Sequence, residues 1–389
     1  MNILRMIKRR DFNAEPIRLG IWGVSESGKT VYLAKLYRML LKEGWKIRIS
    51  GDYKDFLEQA IEKLDNRELP NATNTSDEQI KTCQYRISND NFQETGKKVQ
   101  AVIDFFDIAG EYYGGENKIR YREELRINLN GEEVTLIDYL LSCDGILFLL
   151  DYWRNSNKTS NGKSQLQLLE ELFREMFERR EYLDSKVSNR KQNNSFEQLE
   201  SYVVFAVTKA DHEDIENSGM SSIELVSKVL NFDPKTEDII NWFDNYFYVD
   251  KSKLARQIDD GYYEKPSKFH RCQFFAVSAI GSYYDEKSGR SKSGVIIPEK
   301  PNPDPQERKS DDVFSPKGDK VSNPSDRFGG RERKDRNQKP KPQILKGVRL
   351  EPMNVVEPIE WFIEGILKNP PKLPSIHTNT PTPGENEKE

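Results

Sequence analysis

The chain has 389 residues, room for one large domain or two ordinary ones, and its 60 Lys and Arg against 64 Asp and Glu give a formal charge of −4, which leaves no basic excess for nucleic acid. Three well-separated cysteines (Cys83, Cys143 and Cys272) and three histidines exclude a disulfide framework and a His/Cys zinc cluster. Apolar runs such as residues 146–150 fall far short of the ~20 needed to cross a bilayer, and residues 1–10 are basic without the apolar core of a signal peptide, so the expectation is a cytoplasmic protein with no transmembrane segment.

Residues 17–22 form an apolar run ending in a glycine-rich turn, and a helix is predicted from 29 to 42. A second helix is predicted over 55–64. Residues 83–88 and 99–106 pattern as two strands of a hairpin. A helix over 133–141 then precedes a strand over 145–151. Residues 165–183 read as a long helix with Leu166, Leu169, Leu172, Phe173, Met176 and Phe177 along one side, a stripe that belongs to a core. A strand over 202–207, helices near 221–230 and 238–247, and a strand over 273–277 complete the series. Alternating strands and helices predict an α/β fold with a mainly parallel sheet covered on both faces.

The 35% hydrophobic fraction is unevenly spread. Residues 285–345 hold eight of the 19 prolines and only two aromatics, too little apolar surface to offset chain entropy, so this stretch reads as a disordered insertion. Residues 369–389 hold five more prolines and read as a disordered tail. Between them, Val355, Ile359, Phe362, Ile363 and Leu367 recur at helical spacing over 354–367. The expected organisation is a domain over 1–284, the insertion at 285–345, a closing helix within 346–368 and the tail. The charged cluster from Arg331 to Arg336 reads as solvated linker, because acids interleave with its bases.

Gly23-Val24-Ser25-Glu26-Ser27-Gly28-Lys29-Thr30 fits the pattern G-x-x-x-x-G-K-[ST], directly after a strand and opening a helix. Glycines let backbone N–H groups converge on a β-phosphate, and the helix N-terminus adds positive potential. Lys29 can reach the β- and γ-phosphates, the Thr30 hydroxyl can ligate Mg²⁺, and Val31 continues the helix. Asp107-Ile108-Ala109-Gly110 ends the second hairpin strand, where a carboxylate can hold Mg²⁺ through water and the Gly110 N–H can meet a γ-phosphate. Thr208-Lys209-Ala210-Asp211 ends another apolar strand. A carboxylate at Asp211 can accept from guanine N1 and N2, a donor pair that adenine lacks. Lys209 would lie along the base, and the backbone of Ser278-Ala279, after the last strand, can bind the guanine oxygen. All four segments lie at carboxyl ends of strands, where nucleotides bind in open α/β sheets.

In these motifs the chain resembles the Ras-like, translation-factor-related P-loop GTPases, from about residue 17 to 281 plus the closing helix. The resemblance implies a three-layer sandwich with helices on both faces and one antiparallel strand in the sheet. It further implies GTP/GDP and Mg²⁺ as ligands and a protein effector or activator as partner. By resemblance, Gly23, Ser25, Glu26, Ser27, Gly28, Lys29, Thr30 and Val31 form the phosphate loop, Asp107 to Gly110 is the switch II motif, Thr208, Lys209 and Asp211 select guanine, and Ser278 and Ala279 close the base site. Trp22 before the loop, Asp-Ile-Ala-Gly-Glu and the polar tail are similar to bacterial double-GTPase-type proteins of conflict systems.

The chain departs from that family at Glu111, which stands where many members orient water with Gln, and at Ser25, often Gly where an arginine finger approaches. Both departures imply slow intrinsic hydrolysis or an unfamiliar mode of activation. The long span between Thr30 and Asp107 implies an insertion, with Thr73 favoured over Thr75 as the threonine that senses Mg²⁺ and γ-phosphate. A GTP-hydrolysing switch leads, with Lys29, Glu111 and Thr73 as catalytic candidates and Thr30, Thr73 and Asp107 as metal ligands. A non-hydrolysing scaffold and a P-loop ATPase are the rival readings.

Overall fold

The structure, a computed structural model, describes residues 16–23, 27–70, 81–92, 97–107, 126–129, 132–152, 164–187, 198–212, 215, 218–233, 238–247, 271–285, 290–296, 343–371 and 373. At its centre lies strand β1 (Ile17–Gly23), flanked by β4 (Lys97–Asp107) and β7 (Gly145–Asp151). With β2 (Lys46–Ser50), β3 (Lys81–Phe92), β8 (Tyr202–Thr208) and β9 (Cys272–Ala276) they form a seven-stranded sheet of order β2-β3-β4-β1-β7-β8-β9. The strand β3 pairs antiparallel with both neighbours, and the other six run the same way. Every residue of β7 and β8 is buried, which is why these strands read as unbroken apolar runs.

Helices α1 (Lys29–Lys42), α2 (Lys54–Asp65) and α7 (Glu357–Lys368) cover one face. Their core joins Tyr32, Leu36, Leu57, Phe105, Ile359 and Phe362. Helices α3 (Leu136–Ser142), α4 (Gln165–Val187), α5 (Ser222–Val229) and α6 (Asp238–Asp244) cover the other, around Phe148, Phe173, Phe205 and Phe243. Two cores on the two sides of one sheet make the three-layer α/β sandwich expected from the alternating pattern. No helix among the described residues is long and apolar enough to cross a membrane.

Several boundaries differ from the sequence reading. The helix predicted from 133 starts at Leu136, because Thr135 accepts the Asp138 N–H as an N-cap at 3.1 Å. The preceding residues form a hairpin of β5 (Arg126–Leu129) and β6 (Glu132–Thr135). α6 stops at Asp244, and Phe247 bridges to Leu199 instead. The long span after Thr30 holds β2, which was not expected, and α2, which was. As an edge strand of alternating charged and apolar residues, Lys46-Ile47-Arg48-Ile49, β2 carries a weak signal.

The largest correction falls after Val277. The chain continues into β10 (Ser278–Asp285), which pairs antiparallel with β11 (Arg290–Ser293) and β14 (Glu351–Met353). β12 (Val295–Ile296) pairs with β13 (Gln343–Ile344). The stretch 285–345, read as disordered throughout, is thus strand at both ends; residues 297–342 lie outside the described residues, as do the arm 1–10 and nearly all of the tail. Gly281 makes the small sheet possible: it sits at φ +91°, and a Cβ there would meet the Glu351 carbonyl oxygen at 2.3 Å. The closing helix begins at Glu357 rather than 354, because Asn354 sits at φ 48° and donates its Nδ2 to the Ala276 carbonyl at 2.9 Å.

Candidate functional site

The strand register brings the predicted motifs to one edge. Gly23 pairs with Leu149, Leu149 with Ala206, and Ala206 with Phe275. On the other side Ile21 pairs with Phe105, which puts Asp107, two residues on, level with Gly23. Asp107, Gly23, Asp151, Thr208 and Ala276 therefore end five adjacent strands along one carboxyl edge. β1 and β8 are two strand spacings apart, about 10 Å.

On β1 the edge leads into the glycine-rich motif that ends at Gly28-Lys29-Thr30. Gly28 is the N-cap of α1 in the left-handed region (φ 80°), and no described side chain caps the helix. The first-turn N–H groups of α1 therefore have no side-chain cap among the described residues, an arrangement that suits an anion. Lys29 is 6% exposed and its Nζ donates to the Gly23 carbonyl at 2.6 Å, turning the ammonium back to the end of β1. The Ser27 hydroxyl is buried without a hydrogen-bond partner among the described residues. Gly23 has to be glycine, since a Cβ there would lie 2.7 Å from Ser27 Oγ and 3.1 Å from the Leu149 carbonyl oxygen. Ser25 and Glu26 lie outside the described residues, as do Thr73, Gly110 and Glu111.

The segments that follow β8 and β9 are joined by backbone bonds. The Val277 N–H donates to the Val207 carbonyl at 2.8 Å and the Ala210 N–H to the Val277 carbonyl at 3.1 Å. Lys209 takes φ 60° in this turn, a costly conformation for a non-glycine residue that the neighbouring backbone bonds hold in place. The Thr208 hydroxyl donates to the Leu150 carbonyl at 3.0 Å, and Thr208 lies beneath Gly28, about van der Waals distance from where a Cβ would stand. The start of α1 and the turn after β8 are thus in contact range across β7.

Asp211 is 6% exposed. Its Oδ1 accepts from the Ser278 hydroxyl at 2.6 Å and its Oδ2 from the Ser293 hydroxyl at 2.7 Å. Ser278 therefore meets Asp211 through its side chain, and Ser278 and Ala279 open β10 rather than forming a free loop, a correction to the sequence reading. The reason is that β14 offers an antiparallel partner, pairing Met353 with Ser278.

Asp151, absent from the sequence reading, completes this end. Its Oδ2 lies 3.0 Å from Lys209 Nζ. Its backbone is clamped by Gln165, whose Oε1 accepts the Asp151 N–H at 2.9 Å and whose Nε2 donates to the Asp151 carbonyl at 2.7 Å. The signal was present, since Asp151 ends an apolar strand as Asp107 does. Ser293 had no such signal. It sits among polar residues beyond the last strand that periodicity could find.

Under the site, Asp104 of β4 is buried, and burial pushes its carboxyl above the usual range, opposed by donation from Gln84 Nε2 at 2.7 Å and the Tyr139 hydroxyl at 2.8 Å. That network ties β4, whose last residue is Asp107, to β3 and α3. Thr30 stands in the first turn of α1 and Asp107 at the tip of the adjacent strand β4; hydroxyl and carboxylate oxygens are donor types that suit Mg²⁺ completed by phosphate oxygens and water. The described residues hold no group of three or more His, Cys, Asp or Glu that would cage a metal without phosphate.

No family model matches the chain. No curated protein matches it either. Among solved structures it is similar to the signal recognition particle receptor SRb-GTP/SRX complex from Chaetomium thermophilum, with 13% identity and a TM-score of 0.31 over 69% of this chain and 92% of that one. The S. cerevisiae Ski7 GTPase-like domain bound to GTP gives 13% identity and 0.26 over 72% and 47%. A bacterial selenocysteine-specific elongation factor, EF-Sec, gives 11% and 0.21 over 68% and 26%.

Proposed function

We propose that the chain binds GTP and GDP and hydrolyses GTP slowly with Mg²⁺, as a switch that controls a protein partner. The observation that carries this reading is the placement of Lys29 and Asp211 on one sheet edge, with a buried carboxylate presented two strands from an uncapped helix N-terminus. Lys29 would leave the Gly23 carbonyl to neutralise β- and γ-phosphate charge. Asp211 would accept guanine N1–H and N2–H, and Lys209, steadied by Asp151, would lie along the base. Thr30 and Asp107, with Thr73, would hold the Mg²⁺, which supplies charge neutralisation on the phosphates. Glu111, Thr73 and Gly110 would respond to the γ-phosphate, and hydrolysis would change affinity for the effector. The likeness of Trp22 and the Asp107–Glu111 sequence to double-GTPase-type proteins supports a place in a bacterial conflict system.

Isothermal titration with GDP, GTP, ADP and ATP tests the reading. Guanine nucleotides should bind at least tenfold more tightly than adenine ones. Stronger ATP binding would instead favour an ATPase. Lys29→Ala should abolish GTP binding or weaken it by more than tenfold, and Asp211→Asn should move preference from GTP toward XTP. Phosphate release that stays at zero with every candidate partner would replace the switch with a non-hydrolysing scaffold.

A further inference from the structure

Ser293 lies outside every motif considered above, yet its hydroxyl occupies one oxygen of the carboxylate proposed to read the base. It ends β11, where it pairs with Ser282 of β10. The segment is held closely: the Gly294 N–H donates to the Gly281 carbonyl at 2.9 Å, and a Cβ on Gly294 would lie 2.7 Å from that oxygen and from the Leu350 side chain.

We infer that Ser293 is a positioning residue for base recognition, holding the Asp211 carboxylate in a fixed plane from a hairpin beyond the last strand of the main sheet. The inference rests on the reading that Asp211 selects guanine. An ionised carboxylate has about four lone-pair sites, two on each oxygen. Among the described residues, Ser278 fills one on Oδ1 and Ser293 one on Oδ2. One site per oxygen is left, and guanine brings one N1–H and one N2–H.

The direction of the hydroxyl protons is set as well. The Ser278 Oγ accepts the Gly281 N–H at 2.8 Å, and the Ser293 Oγ accepts the Val295 N–H at 3.1 Å. Each hydroxyl has one proton, so with its oxygen accepting from the backbone, the proton points at Asp211. Two short charge-assisted bonds to different oxygens stop rotation of the carboxylate. The base then meets an acceptor pair whose orientation is already fixed, which lowers the ordering cost of binding.

The test measures binding of N-methylanthraniloyl-GDP, and displacement by GDP and by IDP, which lacks the N2 amino group, in the full chain and in Ser293→Ala and Ser293→Thr. Ser293→Ala should weaken GDP about tenfold and shrink the GDP-over-IDP preference, because a freely rotating carboxylate loses the paired contact. Ser293→Thr keeps the hydroxyl and should stay within about twofold of the parent. Equal weakening of GDP and IDP would mean that the substitution only loosens the hairpin, and it would overturn the proposal. Unchanged GDP affinity would overturn it too, and so would tighter binding, which would make Ser293 a competitor of the base. A parent chain that binds no guanine nucleotide would defeat the underlying reading of Asp211 itself.

Discussion

Lys209 Nζ lies 3.0 Å from Asp151 Oδ2, so the left-handed turn after β8 is anchored to the tip of β7. Asp151 is buried while the Lys209 side chain is 43% exposed, which leaves part of the pair in solvent and lowers its worth. Its use is directional, since Gln165 fixes where the carboxylate stands and the carboxylate fixes the lysine stem. Asp151→Asn should weaken guanine nucleotide affinity about threefold to tenfold, with phosphate-loop function intact, as fluorescence titration of the two proteins would report.

Gly145 opens β7 directly under α7. A Cβ there would stand 2.6 Å from the Phe362 ring and 2.9 Å from Leu19. Gly145→Ala should therefore cost about 1–3 kcal/mol in urea unfolding through overpacking. Phe362→Leu in the same chain should recover part of that loss, because the two sites share one contact.

Stability should also depend on Glu43, which ends α1 opposite α7. The residue is exposed, but desolvation of its carboxyl where α1 meets α7, then the facing carboxylates of Glu360 and Glu357, push it up from 4.5 to about 7, against Lys42. The folded chain thus holds this proton more tightly than the unfolded one. The stabilisation is complete below the unfolded value and is lost as the pH rises through about 7. Glu43→Gln should flatten the fall in melting temperature between about pH 5 and 7, measured side by side with the parent.

Burial pushes the Cys83 thiol up to about 12 and raises those of Cys143 and Cys272 above the ordinary range. All three are free and buried. The native chain should react with an aromatic disulfide reagent at pH 8 only at the rate of its unfolding, and the denatured chain should react at once at all three positions.

The parts of the fold legible in sequence are those where one signal dominates. Buried parallel strands such as β8 show as apolar runs, and α1 starts at Lys29 because Gly28 takes the left-handed conformation just before it. One local signal was passed over: Thr135 stands three residues before Asp138, a cap that marks the start of α3 at 136 where apolar spacing had put it at 133. What else escaped was set by distant pairing. Ser278 becomes strand only because Met353 returns beside it, and Ser293 reaches Asp211 only through the register of a hairpin. Neither Lys46 nor Arg48 resembles a core strand, since each sits on the outermost strand of the sheet.

The small ladder in which Val295 pairs with Ile344 and Ile296 with Gln343 makes the chain leave and return at one place. Residues 297–342 are therefore a closed excursion whose two anchors are already bonded to each other. The entropy of closing such a loop changes by only about 0.6 kcal/mol for each doubling of length. Selection can lengthen, shorten or replace that cargo with little penalty to the sandwich beneath it. The hairpin that holds Ser293 against Asp211 thus lies directly before the point where that stretch begins.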